Sequence, residues 1–250
     1  VTVRIDPSLG QTLRINPSLG QTLSLYAGGS AAVLKDWPFG GPTPTSLVDQ
    51  SGYGNDGTFT DITMTQLDSG LWVYGFNGTS SYIDCGRDTS LNLGTGDFSL
   101  AAWIKATSGG GDYYFIIDRY YGINNPSWAL VLDDNTGALR FILADGSNSV
   151  VFQEGSSLKD DAWHHVGISC DRDGNAQMYL DGNTLGDTND ISAISGAVDA
   201  AVKDVCLGIN ANDESSNVFI GSMGLWRIKK ALWTSADFAK MYAMEKSLFK

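Results

Sequence analysis

The sequence predicts an all-β protein: a two-sheet antiparallel sandwich, preceded by a short N-terminal β arm and followed by one C-terminal helix. Three observations carry this. The 250 residues include 30 glycines, many in Asn-Gly, Asp-Gly or Gly-Gly pairs, the chemistry of tight hairpin turns. Of the 28 acidic residues only Glu154, Glu214 and Glu245 are glutamates, leaving 28 − 3 = 25 aspartates; turns favour Asp where helices favour Glu. Hydrophobic residues make up 42% and charged residues 18%, which suits a globular chain long enough to bury a real core.

The elements follow in order. Residues 1–29 read as an arm. RIDPSLGQTL at 4–13 returns as RINPSLGQTL at 14–23, with Asp6 against Asn16 the one difference. The apolar positions are Ile5, Leu9 and Leu13, then Ile15, Leu19 and Leu23. Pro7 and Pro17 lack an N–H and suit turns or sheet edges. Ten residues are too few to bury a face alone, so the units are expected to order only against another surface. That surface is a neighbouring subunit or the chain's own domain.

Residues 30–250 read as the main domain, with strands from about 30 to 233. FSLAAWIKA (Phe98–Ala106) alternates and is bulky. WALVLDD (128–134), NTG and ALRFILA (138–144) make a hairpin, as do HHVGISC (His164–Cys170), DRDGN (171–175) and AQMYLDG (176–182). VFIGSMGLWRI (218–228) is a late strand. Trp103 and Trp226 sit among apolar neighbours and read as core. A helix is predicted over 235–249, capped by Thr234 or Ser235, with Asp237 in its first turn. Phe238, Met241, Tyr242, Leu248 and Phe249 fall near one face, which is expected to close the sandwich.

A net charge of −12 and a pI of about 4.4 argue against a nucleic-acid partner, which needs a basic surface. No run approaches the ~20 apolar residues of a membrane span. The odd count of Cys85, Cys170 and Cys206 argues against a disulfide framework, and they read as buried thiols made in a reducing compartment. The opening VTVRI is strand-like and unlike a signal peptide, so the expectation is release by lysis or a signal already removed.

Five segments carry a resemblance: DQSGYGNDGTFT (49–60), FNGTSSYIDCG (76–86), GDFSLAAWIKA (96–106), WHHVGISCDRDGNAQMYLDGN (163–183) and IGSMGLWRIKKAL (220–232). In order and spacing they resemble the laminin-G-like, concanavalin A-like jelly rolls of lectins, pentraxins and some glycanases. The resemblance implies two antiparallel sheets, one concave and one convex, and a glycan ligand, often with calcium. The tail MYAMEKSLFK (241–250) is similar to the ends of laminin-G-like proteins encoded by phages.

Site residues follow from this. His164 and His165 point to opposite faces of a strand and cannot share one metal, so a histidine zinc site is not expected. The family's glycanases cluster Glu and Asp on one strand. Here no Glu has such a neighbour, and Asp133, Asp134, Asp160, Asp161, Asp171 and Asp173 fall in loops, so no enzyme is expected. Residues 109–128 are the richest supply of sugar-binding chemistry: Tyr113, Tyr120, Tyr121 and Trp128 as platforms, with Asn124 beside them and Tyr114, Asp118, Arg119 and Asn125 nearby. Calcium, if bound, is expected at Asp49, Asn55 and Asp56, in a glycine-rich loop.

The arm distinguishes the functional classes. A secreted lectin has no use for a duplicated decapeptide, whereas an assembled subunit can add strands to a neighbour with it. The favoured reading is a phage virion protein, a decoration, fibre or tail-associated subunit. It is assembled in the host cytoplasm and anchored by its arm to other virion proteins or to copies of itself. Its jelly roll faces outward towards host-surface polysaccharide. The alternatives are a secreted, extracellular carbohydrate-binding module of a bacterium and a polysaccharide-degrading enzyme.

Overall fold

The computed structural model describes residues 31–35, 46–49, 51–109, 113–133, 135–213 and 217–250. The repeat with Ile5, Leu9, Leu13, Ile15, Leu19 and Leu23, and the expected boundary at 29/30, lie outside the described residues. In chain order the strands are β1 (Ala31–Lys35), β2 (Val48–Asp49), β3 (Thr58–Thr60), β4 (Thr63–Gln66), β5 (Trp72–Asn77) and β6 (Tyr82–Asp84). Then come β7 (Phe98–Ala106), β8 (Tyr114–Arg119), β9 (Pro126–Leu132), β10 (Leu139–Asp145) and β11 (Ser149–Glu154). Last are β12 (His164–Cys170), β13 (Asn175–Leu180), β14 (Asn183–Asp190), β15 (Cys206–Leu207), β16 (Ile220–Lys229) and the helix α1 (Ser235–Glu245).

They form two antiparallel sheets. A nine-stranded sheet runs β14-β13-β12-β7-β16, and β16 then pairs with β1 (followed by β2) along one half and with β5 (followed by β4) along the other. A seven-stranded sheet runs β11-β10-β9-β8-β15-β6-β3. Alternation sorts the side chains. Leu100, Ala102 and Ile104 of β7 join Val166 and Ile168 of β12 in the core between the sheets, facing Trp128, Leu130 and Leu132 of β9 and Phe141 and Leu143 of β10.

In β16 the alternation is reset. A bulge lies between Gly224 and Arg227, with Leu225 at φ 51°, a left-handed conformation unusual for a bulky residue. Met223 faces the core before it; Trp226 and Ile228 do so after it. Arg227 therefore points out, towards the helix.

The helix carries the expected cap. Thr234 accepts from the Asp237 N–H, and the Asp237 carboxylate accepts from the Thr234 N–H at 2.8 Å. Two expectations are corrected here. The helix ends at Glu245, not at 249, because the Glu245 side chain is drawn inward. It accepts from Trp103 Nε1 at 2.8 Å and from Arg227 Nη2 at 2.5 Å, and beyond it the chain turns so that Phe249 stacks on Trp103 at 4.3 Å. The helix also covers the outer face of the nine-stranded sheet and does not close an end of the sandwich. Trp103 is buried there, with Leu71, Val73, Leu225 and Phe249, while Trp226 lies between the sheets. Gly167 permits the close approach: a Cβ on it would fall 2.3 Å from Phe238 Cε1 and 2.8 Å from the Leu100 carbonyl.

Candidate functional site

The tyrosines of residues 109–128 divide between the two faces of β8 and its flanks. Phe115 of β8, Ala129 and Val131 of β9 and Ile142 of β10 form an apolar group on the outer face of the seven-stranded sheet, against which Tyr113 and Tyr120 pack half-buried. The Tyr120 ring is 5.7 Å from Phe115, tilted at 52°. The Arg140 guanidinium lies 5.0 Å over the Tyr113 ring and donates to Asp133 Oδ2 at 2.9 Å. Desolvation raises the Tyr120 pKa, the neighbouring Arg140 partly opposing it. One outward face thus gathers two phenol rings, a guanidinium and a carboxylate.

Tyr121 sits to one side, 38% exposed, with Lys203 Nζ 5.3 Å over its ring. Its carbonyl accepts from the Asn125 amide at 3.0 Å. Asn124 is exposed in the turn before β9. Trp128 must be struck from the platform residues: its neighbours in β9 put it on the inner face, and it is wholly buried in the core. Tyr114 is buried in the core likewise. Arg119 and Asp118 organise loops. Arg119 is 2% exposed and donates to the Ala200 and Lys203 carbonyls and to Asn92 Oδ1. Asp118 Oδ2 accepts from the Ala211 and Tyr120 N–H groups. Burial pushes its carboxyl well above the usual carboxylate range, and no solvent reaches it, so it cannot serve a substrate.

The loop at Asp49 does assemble the expected residues. Asp49 Oδ1 accepts from the Ser51 N–H at 2.8 Å; Oδ2 accepts from the Ser51 hydroxyl, the Asn55 N–H and the Asn55 amide. Asp56 Oδ1 takes the Asp49 N–H at 2.8 Å, and Asn55 Oδ1 takes the Ser90 hydroxyl at 3.0 Å. A calcium ion needs these oxygens for itself. As arranged, the Asp49 oxygens, Asn55 Oδ1 and one Asp56 oxygen accept from N–H and O–H donors, and an ion would have to displace these donors from the loop. Its carboxylate does the work of closing the turn.

The two histidines point to opposite faces as expected, with different surroundings. His165 is fully buried between Trp103 at 5.3 Å and Phe238 at 6.3 Å, and neither ring nitrogen meets a partner among the described residues. Burial, with Arg227 nearby, lowers its pKa to about 3. His164 is held at the sheet end by Asp181 (2.9 Å) and Asp160 (3.3 Å), whose hydrogen bonds raise its pKa. The three cysteines are buried and free. Desolvation raises the pKa of Cys85 and Cys170, which leaves those thiols unreactive.

Sequence reasoning passed over a polar cleft on the outer face of the nine-stranded sheet. Its residues come from four strands and the loop before β12, and no linear motif joins them. Cross-strand register is the signal that brings them together. Among the described residues no helix is long and apolar enough to cross a membrane.

No curated protein matches the chain in sequence. Solved structures do match in fold. The binding domain of botulinum neurotoxin serotype G aligns with 80% of this chain and 49% of its own at a TM-score of 0.63 and 19% identity. The binding domain of Paraclostridial Mosquitocidal Protein 1 aligns with 84% and 52% at 0.67 and 16%. The botulinum neurotoxin serotype D ligand-binding domain, solved in complex with N-acetylneuraminic acid, aligns with 86% and 50% at 0.63 and 18%. This chain spans about half the length of each, and at these identities the likeness is one of fold. The family profile of the concanavalin A-like lectin/glucanases superfamily (Laminin_G_3) matches residues 77–234, more than half of the sequence. The resemblance read from the five segments is thereby borne out, and the chain belongs to the concanavalin A-like lectin/glucanases superfamily.

Proposed function

We propose that this jelly roll is a non-catalytic glycan-binding domain, displayed on a phage virion and attached through residues 1–29 to other virion proteins or to copies of itself. The observation that carries the binding reading is the outward group of Tyr113, Tyr120, Arg140 and Asp133. Sugar recognition uses such a pairing of aromatic faces with planar charged groups. The fold's likeness to toxin binding domains, one solved with N-acetylneuraminic acid, supports the same reading. Two of the three glutamates lie in described residues. Glu245 is engaged by Arg227 and Trp103 and is not free to act as the acid or base of a glycosidase. The virion setting is supported by the duplicated decapeptide, and by the resemblance of residues 241–250 to the ends of laminin-G-like proteins encoded by phages.

Two measurements test this. On a glycan array including sialylated probes, Tyr120→Ala and Arg140→Ala should each lose roughly tenfold in affinity. Full retention by both would remove the tyrosine face as the site. Deleting residues 1–23 should leave the melting temperature unchanged and abolish assembly in light scattering. A sharp drop in melting with assembly intact would favour a secreted module padded by its own N-terminus.

A further inference from the structure

The nine-stranded sheet turns its outer face to the opposite side of the molecule from the tyrosines. The helix and the Phe249 tail cover one part of its outer face. Beside them lies an open cleft of about 380 Å³, within the ~300–1,000 Å³ range of ligand sites. Register builds its floor. Thr63 of β4 stands opposite Gly75 of β5, Gly75 opposite Ser222 of β16, and Ser222 opposite Lys105 of β7. These four positions form one cross-strand row on one face. Thr65 and Thr107 add two hydroxyls around it, while the Asn77 amide beside them is engaged by Thr79, Ser80 and Ser81 of its own turn.

Two features make this more than a gap between side chains. Gly75 gives the row a position with no side chain. A Cβ there would lie 2.3 Å from Thr63 Oγ1, so the Thr63 hydroxyl, donating to the Gly75 carbonyl at 3.4 Å, lies over that part of the floor. Asp161 forms the far wall in a left-handed conformation, φ 62°, with its N–H donating to the Ala106 carbonyl at 3.0 Å. That backbone brings its carboxylate to 3.3 Å from Lys105 Nζ, with both side chains partly open to solvent. Backbone held in this region costs stability and tends to occur where a side chain must be aimed.

The chemistry selects a ligand class. An anion would meet Asp161 and the field of a chain with net charge −12; a cation would meet Lys105; an apolar molecule would cover the threonine hydroxyls and the Lys105–Asp161 pair without hydrogen-bonding them. A neutral ligand rich in hydroxyls satisfies all of them. We propose that this cleft binds a neutral pyranose unit, with adjacent ring hydroxyls bridging Lys105 as donor and Asp161 as acceptor. The inference rests on the glycan-binding reading of the domain and adds to it a separate site for an uncharged sugar.

The test uses the full chain, neutral hexose oligosaccharides (gluco-, manno- and galacto-configured) as probes, and saturation-transfer NMR with titration. Asp161→Asn tolerates the left-handed backbone and removes the charge; Lys105→Met keeps the stem; Gly75→Val fills the floor. Wild type should bind at least one neutral probe. Each cleft variant should weaken that binding tenfold or more while keeping the wild-type circular dichroism spectrum. Neutral-probe binding that survives Asp161→Asn and Lys105→Met overturns the cleft and leaves the glycan reading standing. If sialylated probes bind and no neutral probe does, the cleft again fails by itself. If no probe of either kind binds, both readings fall together.

Discussion

Acidification from about pH 7 to about pH 4.5 is expected to cost the folded state about 2–3 kcal/mol through one side chain, His165. The ring is fully buried between Trp103 and Phe238, with neither nitrogen partnered among the described residues. Burial first, then the charge of Arg227, lowers its pKa from 6.5 to about 3, with Asp181 opposing. A depressed pKa gives stability that is present above the unfolded value and lost as pH falls towards the folded one. Below 6.5 the unfolded chain takes up a proton that the native state refuses until about pH 3. Stability then falls by about 1.4 kcal/mol per pH unit across that window. His164 has the opposite sign. Its raised pKa gives stability that is present below 6.5 and lost as pH rises through the folded value, so the optimum should lie near neutrality. Asp133, Asp145 and Asp160, held below 3.8, act at still lower pH. Urea titrations followed by tryptophan fluorescence at several pH values would measure the slope. His165→Phe fills the same slot without a titrating group and should flatten the acid limb by most of that amount. An acid limb of unchanged steepness in His165→Phe would refute the argument.

Four further outcomes are expected. Arg227→Met strands the buried Glu245 carboxylate and should cost about 3–5 kcal/mol in a chemical denaturation experiment. Gly167→Ala forces a methyl against Phe238 and the Leu100 carbonyl and should lower stability by about 1–3 kcal/mol, read by the same titration. Melting curves in calcium and in chelator should coincide for the wild type, with Asp49→Ala less stable in both by about 1–3 kcal/mol from its orphaned donors; a calcium-dependent rise abolished by Asp49→Ala would restore the ion. Incubation with bacterial and algal polysaccharides should release no reducing ends, and release abolished by a single Asp→Asn change would establish an enzyme.

The strands were legible where alternation is strong and turn residues flank it. FSLAAWIKA and HHVGISC coincide with β7 and β12 as they stand. The same period, applied one strand further, would have removed Trp128 from the sugar platform, since Leu130 and Leu132 share its inner face. The reset in β16 was hidden because Leu225, not glycine, occupies the left-handed position. The helix end was hidden because Glu245 reads as solvent-exposed until Arg227 and Trp103 are seen to claim it. The cleft depends on which strands are neighbours, and Thr63, Ser222 and Lys105 become adjacent only through pairings that span more than a hundred residues.

The central place of β16 bears on when the protein can fold. It lies at the centre of its sheet, with β7 on one side and β1 and β5 on the other, yet it follows all the other described strands in the sequence. The meander β8 to β11 is local in sequence and can pair early. The nine-stranded sheet stays divided until residue 229 has been made, with β1 and β5 lacking the partner that joins them to β7. Long-range closures of this kind are slow and leave unpaired edges in the interim. The sheet should therefore close only once β16 has emerged, refolding should be slow, and chains stopped before β16 should be prone to aggregate rather than to form a smaller stable domain.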